Sequence, residues 1–547
     1  MSKSVAILGG GVAGLTAAHE LVDRGFTVVV VEVGGTVGGK ARSFGKPGSA
    51  TPPQVLLPGE HGFRFFPGFY HHITDSMTAI PIGSKSAFDN LVATEVAGIA
   101  RPNLPLFRFR VSARQTLAGW FAALQDLFDN PELGLDPGEG PFFASRMFDF
   151  ITSCDERRLG QWEGVPWWVY VDAANHSRAY QDLLARGLTR SLVAMRAEVA
   201  STRTIATILW QMVFSIADPS GAAADRVLNA PTTDAWLEPW RLYLLRRGVA
   251  FSMDSSVEGI TLAGNHVQSV QVLQGSALVD VSAGHYVFAV PQEIMAALAT
   301  PSVIHEAPSL AGIASLEVDW MNGIQFYLSR EVKVTEGHVI LAEAPWALTL
   351  LSQRQFWPGV DFNKLGDVPI GGILSVDISD WDAKGTFVNK PAVQCTRDEI
   401  AFEVWEQLKS HLSVTAPLMD ADRVDFFLDP AIVIVSGPTR NRSPLFTNTC
   451  GSWALRPQAV TEIDNLFLAS DYVQTYTDLA CMEGANEAAR RAVNGILDAT
   501  GSSRQHCALW KLKEPSIFDA AKDFDRILWG RGLPHPGTAF LLQLFGV

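Results

Sequence analysis

The sequence predicts an α/β protein in which a Rossmann-like nucleotide-binding domain is interleaved with an α+β domain that contains a mixed sheet and a helical insertion. A βαβ pattern with a glycine-rich turn opens the chain, and strand and helix patterns of the same type return twice, far from the N-terminus. The chain of 547 residues is too long for one simple core, so two or three domains are expected.

Composition narrows the class of partner. Hydrophobic residues make up 47% of the chain and charged residues 18%, which indicates a folded protein with ample apolar surface to bury. The formal charge of −14 argues against a nucleic-acid partner, because binding to phosphates needs a basic face. Anionic membranes are disfavoured only weakly, since a local basic patch can override the average, and peripheral membrane contact is left open.

Cysteine content and hydropathy indicate the compartment. The five cysteines are scattered and contain no CxxC pair, so neither a disulfide framework nor a metal site is predicted. The stretch SVAILGGG at residues 4–11 has the pattern of a strand and turn rather than of a signal peptide. No uninterrupted apolar run reaches the ~18 residues typical of a spanning helix. We expect a cytoplasmic protein.

The stretch SVAILGGGVAGLTAAHELVDRGFTVVVVE predicts a strand, a helix and a second strand in succession. Gly9 permits the tight turn, Gly11 lets backbone N–H groups approach a pyrophosphate, and Gly14 lets the helix pack closely on the strand. The positive end of the helix adds to this anion site. The residues of this loop predicted to bind the cofactor are Gly9, Gly11, Val12, Ala13 and Gly14.

An acidic residue and a second glycine turn follow the second strand. Glu32 closes that strand at the spacing of an acid that hydrogen-bonds ribose hydroxyls, and it would repel the 2′-phosphate of NADP. Gly38 and Gly39 then make a flexible turn that carries the positive charges of Lys40 and Arg42. We predict cofactor contacts for these residues, and a solvated basic loop is the alternative interpretation of the turn.

With this second turn, the N-terminus resembles that of the flavin-containing amine oxidase and phytoene desaturase superfamily. In that family the element GG-(R/K)-x-x-S, here GGKARS, continues the FAD site beyond the pyrophosphate. The resemblance therefore implies that the nucleotide-binding domain binds FAD and that the protein is an FAD-dependent oxidoreductase.

Residues 59–81, GEHGFRFFPGFYHHITDSMTAIP, resemble the segment of plant-type phytoene desaturases, zeta-carotene desaturases and hydroxysqualene dehydroxylases that passes beside the isoalloxazine ring. The resemblance brings Gly62 and Phe63 to the flavin and makes His61 and Arg64 the candidate catalytic residues. A histidine satisfied within the core is the alternative for His61. The adjacent histidines at positions 71 and 72 are expected at the surface or at a helix cap, because no carboxylate or cysteine lies at ligand spacing.

The rest of the chain alternates between the two domains. We predict an FAD-binding domain of residues 1–83, 231–298 and 451–500, a substrate-binding sheet of residues 299–450, and a mainly helical insertion of residues 84–230. Residues 501–547 form a tail with an amphipathic helix, which is expected to pack on the body of the protein or to contact a partner or lipid.

The helical insertion is rich in aromatic residues at helical spacing and is expected to carry part of a large apolar pocket. Arg186, Arg190, Arg196 and Arg203 recur along it. We predict that they form the solvated face of a helix, and an interfacial helix at a membrane surface is the alternative.

The later segments of the predicted FAD-binding domain, residues 231–298 and 451–500, complete the resemblance. It assigns Val257 to the adenine end of FAD, Asp471 to its ribityl and phosphate side, and Met482, Glu483 and Ala485 to the pyrimidine edge of the ring. The helix that starts at this last group has mostly small apolar residues, so a ring and the first helix can approach it closely. Bare N–H groups at its N-terminus would stabilise negative charge on a reduced flavin.

Three functions stay open from the sequence. The first, which we favour, is desaturation or dehydroxylation of a long apolar isoprenoid or carotenoid-like substrate. The second is amine oxidation, because Tyr472 and Tyr476 lie close enough in sequence to the TDLAC stretch to supply the aromatic contact typical of amine oxidases. The third is a flavin-bearing isomerase without net redox turnover. The electron acceptor and the oligomeric state are not predicted.

Overall fold

The computed structural model describes residues 3–94, 97–108, 114–217, 224–434 and 439–545. Within these ranges the strands are Ser4–Leu8 (β1), Thr27–Val31 (β2), Ser43–Gly45 (β3), Pro58–Glu60 (β4), Phe65–Phe66 (β5), Pro81–Ile82 (β6), Lys85–Ser86 (β7), Leu91–Ala93 (β8), Gly98–Ala100 (β9), Phe107–Arg108 (β10), Arg226–Leu228 (β11), Ala250–Ser252 (β12), Ser255–Leu262 (β13), Val267–Gln274 (β14), Ala277–Val281 (β15), His285–Phe288 (β16), Val318–Asp319 (β17), Asn322–Leu328 (β18), Val339–Leu341 (β19), Leu348–Ser352 (β20), Gly372–Ile378 (β21), Arg423–Leu428 (β22), Ile432–Val433 (β23), Arg440–Asn441 (β24), Leu445–Phe446 (β25) and Leu466–Leu468 (β26). The α-helices are Val12–Asp23 (α1), His72–Thr78 (α2), Leu117–Phe128 (α3), Glu139–Ile151 (α4), Asp155–Gly160 (α5), Trp167–Tyr170 (α6), Arg178–Tyr180 (α7), Arg190–Val193 (α8), Thr202–Ala217 (α9), Glu238–Arg246 (α10), Gln292–Leu298 (α11), Pro301–Glu306 (α12), Arg397–Leu412 (α13), Ser452–Leu455 (α14), Met482–Thr500 (α15), Asp519–Gly530 (α16) and Thr538–Phe545 (α17).

Five strands form a parallel sheet in the order β12-β2-β1-β16-β26. The central strands β1 and β16 pair in register, with Val5 opposite His285, and both are buried almost throughout. This burial is typical of a parallel sheet covered on both faces. The strands come from residues 4–31, 250–288 and 466–468, so three distant stretches of chain build one Rossmann-like sheet, and the predicted α/β fold class is confirmed.

Helices α1 and α15 pack against each other beside this sheet. Ala488, Ala489 and Ala492 of α15 are fully buried, and their small side chains allow the two helices to approach closely. Asn486 of α15 donates a hydrogen bond from Nδ2 to Oγ1 of Thr16 in α1 at 2.8 Å. The slim face of α15 therefore serves helix packing along most of its length.

A second, mixed sheet has the strand order β10-β9-β19-β20-β21-β18-β22. The β9–β19 pair is parallel and the other pairs are antiparallel. Alternation along β21 gives the sheet two different faces. Leu374, Val376 and Ile378 pack into the same core as residues of α13, whereas Ser375 and Asp377 point to the opposite face. That opposite face is the one that meets the parallel-sheet domain.

The arginine series of the helical insertion does not form a solvated helix face, which corrects the sequence prediction. The helix breaks after α8, where Ala194 has a left-handed φ of 56°, and α9 begins only at Thr202. Arg190 is buried and forms ion pairs with Asp319 and Asp380. Because the helix is broken, the successive arginines lie in different environments. Their helical spacing in the sequence therefore does not place them on one surface.

The C-terminal tail packs on the helical insertion. Phe518 is fully buried and lies against Trp120 and Trp210, with ring centroids 6.3 and 5.7 Å apart. Asp525 of α16 is fully buried and pairs with Arg157 of α5, whose Nη2 lies 2.8 Å from Asp525 Oδ1. Among the helices that the structure describes, no helix has the length and hydropathy needed to cross a membrane.

Candidate active site

One cavity of about 810 Å³ lies where the two sheets meet. Its first wall is formed by residues that follow the carboxyl ends of the parallel strands, namely Gly9 after β1, Glu32 after β2, Ala289 after β16 and Ser470 after β26. Ligands of open parallel sheets bind at this edge. Its second wall is the inner face of the mixed sheet, which contributes Asp377 among other residues.

The two glycine turns form one continuous floor of the cavity. The Gly38 N–H donates to the carbonyl of Gly10 at 2.8 Å. Gly9 has a φ of +112°, and a Cβ there would lie 2.4 Å from the Ala289 carbonyl oxygen, so glycine is required. Gly11 is the N-cap of α1 and offers no side-chain cap, which leaves N–H groups of the first helical turn for an anion.

Glu32 lies at the end of β2 with both carboxylate oxygens held by backbone groups. Oε2 accepts from the Gly10 N–H at 2.7 Å, and Oε1 accepts from the Gly34 N–H at 2.8 Å. Burial raises the pKa of Glu32, and these N–H groups together with Arg42 oppose the rise. A carboxylate has further acceptor lone pairs, so Glu32 can still bind a pair of ribose hydroxyls.

The basic residues of the second turn also reach the cavity wall. The Lys40 ammonium group donates a hydrogen bond to the carbonyl of Pro444. This contact links the turn to a segment more than 400 residues later in the chain. The Arg42 guanidinium lies over the ring of Phe44 at 5.2 Å. Neither contact removes the positive charge from the cavity, so the turn remains suited to a phosphate.

The N-terminus of α15 closes another part of the cavity. Met482 and Ala485 line the wall, and Cys481 is the N-cap residue, whose thiol accepts from the Gly484 N–H at 3.5 Å. A Cβ at Gly484 would lie 2.7 Å from the Leu479 carbonyl oxygen. Glycine therefore lets this turn pack on the Leu479 carbonyl, while Met482 and Ala485 bring the helix N-terminus to the cavity wall.

Glu483 lies outside the cavity lining, and its assignment to the cofactor is corrected. Its Oε1 accepts from the backbone N–H groups of His71 and His72 at 2.8 and 2.7 Å, and Oε2 accepts from the Ile73 N–H at 2.9 Å. Nδ1 of His72 lies 2.7 Å from Oε1. Glu483 therefore satisfies the N-terminus of α2, and His72 is a buried partner of this carboxylate rather than a surface residue.

Gly14 also does not line the cavity, because its role is the close packing of helix on strand that the sequence predicted. A Cβ at Gly14 would lie 1.9 Å from the Gly9 carbonyl oxygen, so it permits α1 to pack on the glycine loop. The other predicted residues do line the cavity, and these are Gly9, Gly11, Val12, Ala13, Glu32, Gly38, Gly39, Lys40, Arg42, His61, Gly62, Phe63, Arg64, Val257, Asp471, Met482 and Ala485.

The candidate catalytic residues are held in different ways. Nδ1 of His61 lies 2.6 Å from Oδ2 of the fully buried Asp429, which orients the ring. The guanidinium of Arg64 folds back and donates to the carbonyl of Gly62, through Nε at 3.0 Å and also through Nη2. A Cβ at Gly62 would lie 2.7 Å from Oδ1 of Asp377, so glycine lets this segment run close to the mixed sheet.

Among the cavity-wall residues that sequence reasoning missed are three polar residues of the mixed-sheet side. His338, Thr349 and Asp377 come from the mixed sheet and are all buried. Burial raises the pKa of Asp377 to about 7, against the effect of the Arg64 guanidinium and a hydrogen bond from the Phe63 N–H. Burial lowers the pKa of His338 to about 4. The available signal was an aspartate inside the apolar strand sequence GILSVDIS, where a carboxylate is uncommon.

The aromatic residues that line the cavity come from residues 63–70 and not from Tyr472 or Tyr476. Phe63, Phe65 and Tyr70 line the wall. Tyr472 is fully buried away from the lining, and Tyr476 is 40% exposed and lies 4.3 Å from the Arg491 guanidinium. In the TDLAC stretch the lining residues are Leu479, Ala480 and Cys481. The helical insertion contributes only Ser191 and Val193 among the described lining residues, so its aromatic clusters are core.

A parallel sheet is assembled here from three chain segments, with the glycine turns beside Glu32 and the N-terminus of α15 facing them. This is the arrangement expected of a dinucleotide-dependent oxidoreductase. Family models agree: that of the NAD(P)-binding Rossmann-like domain matches residues 7–79, and that of flavin containing amine oxidoreductases matches residues 239–497. Together these matches support assignment of the chain to the flavin amine oxidase superfamily.

Individual relatives are distant. Carotenoid phi-ring synthase of Chlorobaculum tepidum is 34% identical over 82 residues, which are 15% of this chain and 12% of that protein's length. Among solved structures, an oxidoreductase from Methanosarcina mazei has a TM-score of 0.58 at 10% identity, covering 90% of this chain and all of the other. Cyclohexylamine oxidase from Brevibacterium oxydans has a TM-score of 0.54 at 14% identity, covering 92% and 100%. These structures share the fold.

The residues present fit FAD as the cofactor. The uncapped N-terminus of α1 and the open space at Gly11, where a Cβ would meet nothing closer than the Gly39 Cα at 3.9 Å, suit a diphosphate. Glu32 suits the adenosine ribose, and the N-terminus of α15 suits the electron-rich edge of a flavin. The cavity joins these three places in one space.

Proposed function

We propose that this protein is an FAD-dependent oxidoreductase that removes hydride from, or delivers it to, a carbon atom of a large and mainly apolar substrate of the isoprenoid or carotenoid class. The observation that carries the proposal is the continuity of one cavity from the glycine turns to walls that are largely aromatic and aliphatic. Apolar residues of the cavity lining include Phe63, Phe65, Tyr70, Val193, Met321 and Leu445.

Apolar walls of this kind favour a hydrocarbon chain through burial of its surface, at roughly 25 cal/mol per Å² removed from water. The partial similarity to carotenoid phi-ring synthase supports the same substrate class.

The roles of the chain's own residues follow from their positions. Bound FAD would supply a hydride acceptor. The N-terminus of α15 stabilises negative charge at the adjoining edge of the cavity. His61, oriented by Asp429, can hold or transfer a proton at its free ring nitrogen. Arg64, tied to the carbonyl of Gly62, keeps a fixed positive charge on the sheet side.

Amine oxidation is the second candidate, and the carboxyl group of Asp377 favours it, because a buried carboxylate in the cavity wall can pair with an ammonium group. Two observations weigh against it. The TDLAC stretch places no aromatic side chain in the cavity, and Tyr472 and Tyr476 both lie outside its lining.

The experiment is anaerobic reduction of the purified, FAD-loaded protein. Squalene, phytoene and the isoprenoid alcohol farnesol represent the first candidate and benzylamine the second. Organic extracts of the protein are analysed by mass spectrometry for a co-purified terpenoid. Loss of the flavin absorbance with an isoprenoid but not with the amine is the expected result. Bleaching by benzylamine alone would select amine oxidation, and a double-bond shift without loss of flavin absorbance would show that no net redox turnover occurs.

A further inference from the structure

Three polar side chains on the sheet side of the cavity have atoms without a hydrogen-bond partner in the described part of the chain. They are Asp377 Oδ1, Thr349 Oγ1 and His338 Nδ1, and the residues are 5%, 3% and 4% exposed. We refer to these three residues as the polar recess. Buried polar atoms are satisfied in the great majority of cases, so three unpaired ones in a single cavity wall indicate a missing partner.

Strand pairing places the members of the polar recess side by side. Thr349 of β20 lies directly opposite Asp377 of β21, and Ile340 of β19 lies directly opposite Thr349. His338 precedes Ile340 by two positions and therefore points to the same face. Directly opposed side chains have Cβ atoms roughly 5 Å apart, so one small group can contact both Thr349 and Asp377.

The surroundings of the polar recess hold its side chains in place. The His338 ring packs edge-on against Phe65 with centroids 4.4 Å apart. The carboxyl group of Asp377 lies against Gly62, where a Cβ would be 2.7 Å from Oδ1. These contacts hold the side chains of His338 and Asp377 in place before any ligand arrives, as a specific binding site requires.

We propose that the polar recess binds a hydroxyl group on an otherwise apolar substrate, so that the substrate is an isoprenoid-like alcohol rather than a pure hydrocarbon. The hydroxyl donates its proton to Asp377 Oδ1 and accepts from the hydroxyl of Thr349, with His338 Nδ1 as a further partner. This inference rests on the proposed function for the apolar remainder of the substrate, and it specifies the polar end.

The charges around the polar recess favour a hydroxyl group over an ammonium group as its ligand. The Arg64 guanidinium acts on Asp377 electrostatically, so a cation placed in the polar recess would meet a fixed positive charge as well as the carboxyl group. The His338 ring is neutral around pH 7, because burial lowers its pKa to about 4. A neutral group that both donates and accepts satisfies the three atoms without adding charge.

The test uses the FAD-loaded full-length protein and three probes of equal length: octan-1-ol, 1-chlorooctane and octylamine. Binding is measured by isothermal titration calorimetry and by perturbation of the flavin absorbance. Octan-1-ol is expected to bind about tenfold more tightly than 1-chlorooctane. Asp377→Asn and Thr349→Val are each expected to weaken binding of octan-1-ol by about tenfold and to leave 1-chlorooctane unchanged.

Asp425→Asn is the matched control, because Asp425 lies on β22 of the same sheet and pairs with Lys46 outside the cavity lining. Equal affinity of octan-1-ol and 1-chlorooctane for the unaltered protein would overturn the inference without any variant, and octylamine as the tightest probe would replace the hydroxyl by an amine. A selective loss in Thr349→Val keeps the test informative if Asp377→Asn does not fold.

The outcomes separate this inference from the proposed function. Reduction of the flavin by squalene or phytoene, together with no preference for octan-1-ol, would retain the oxidoreductase and reject the alcohol. A clear preference for octan-1-ol with no isoprenoid able to reduce the flavin would retain the polar recess and reject the proposed reaction.

Discussion

His61 and the fully buried Asp429 form a pair that joins the segment at the cavity to the far edge of the mixed sheet, with Nδ1 and Oδ2 2.6 Å apart. Asp429 also accepts from Asn322 Nδ2 at 2.6 Å and from the Ala431 N–H at 2.9 Å. Burial alone would raise the pKa of Asp429, but His61 and these hydrogen bonds hold it below its ordinary value. The carboxylate therefore stays ionised and fixes the orientation of the imidazole.

The first prediction concerns this pair. Asp429→Asn presents an amide to His61 and no longer selects the same ring tautomer, so the rate of anaerobic flavin reduction by substrate is expected to fall by roughly 10²-fold. FAD content should stay unchanged, and stopped-flow absorbance measures both. Asp425→Asn serves as the control. An unaltered reduction rate and pH profile in Asp429→Asn would show that His61 acts only structurally.

A second prediction addresses the diphosphate site. Gly11→Ala is sterically tolerated by the protein, because the added Cβ meets nothing closer than 3.9 Å and φ is −73°. The methyl group would instead occupy the cavity floor, so FAD affinity is expected to weaken by about tenfold or more with the thermal stability of the FAD-free protein unchanged. Fluorescence titration with FAD gives the affinity.

Gly164→Ala is the control for that variant, since a Cβ at Gly164 meets no heavy atom within 4 Å and Gly164 is absent from the cavity lining. Equal FAD affinity of Gly11→Ala and Gly164→Ala would place the diphosphate elsewhere.

The third prediction separates structure from cofactor binding at Glu483. In Glu483→Gln an amide NH2 replaces one carboxylate oxygen, so at least one donating backbone N–H of the α2 N-terminus loses its acceptor. The buried negative charge opposite the α2 N-terminus is also lost. We expect unfolding of the FAD-free protein to become easier by about 2 kcal/mol. Chemical denaturation measures this change. A normal stability combined with a large loss of FAD affinity would return Glu483 to the cofactor site.

The fourth prediction is a pH dependence. The pKa of Asp377 is raised from 3.8 to about 7 in the folded protein, so the folded state binds this proton more tightly than the unfolded chain. Its contribution to stability is therefore lost as pH rises from about 4 to about 7, on the order of 4 kcal/mol in total. The stability of Asp377→Asn relative to the unaltered protein should rise over the same interval and then level off.

The stability of Asp377→Asn must be compared with that of the unaltered protein because other groups near Asp377 also titrate. The pKa of His338 is lowered from 6.5 to about 4, so the contribution of His338 to the stability of the folded protein increases as pH rises over that interval. Glu60, with a pKa raised by burial to about 7, and the neighbouring Arg64 and Asp429 also act on Asp377. Thermal unfolding of both FAD-free proteins from pH 4 to 8 supplies the difference, and a constant difference would contradict the prediction.

Local patterns in the sequence predicted the nucleotide half of the site. The glycine turns, Glu32 and the N-terminus of α15 lie where one strand, one turn and one helix put them, and short-range rules describe such units well. The roles of Glu483 and Asp377 depend on contacts with residues hundreds of positions away. Glu483 satisfies α2, and Asp377 faces a cavity only because Thr349 and Gly62 lie beside it.

The helical insertion shows a second limit. The apolar spacing of residues 191–216 is helical, but the break at Ala194 depends on a left-handed residue that the spacing does not indicate. Many of its aromatic residues belong to a core that also contains residues of the C-terminal tail, such as Phe518, and of the parallel-sheet domain. Abundance in a sequence does not distinguish a core from a pocket.

The parallel sheet has a consequence for synthesis in the cell. Its last strand, β26, and the helix α15 that closes the cavity are translated only after more than four hundred preceding residues have left the ribosome. The nascent chain must therefore hold β1, β2 and β16 with an open edge until β26 arrives. Such late pairing is slow and exposes apolar surface, so we expect assistance by chaperones and a yield of active protein that depends on the rate of translation.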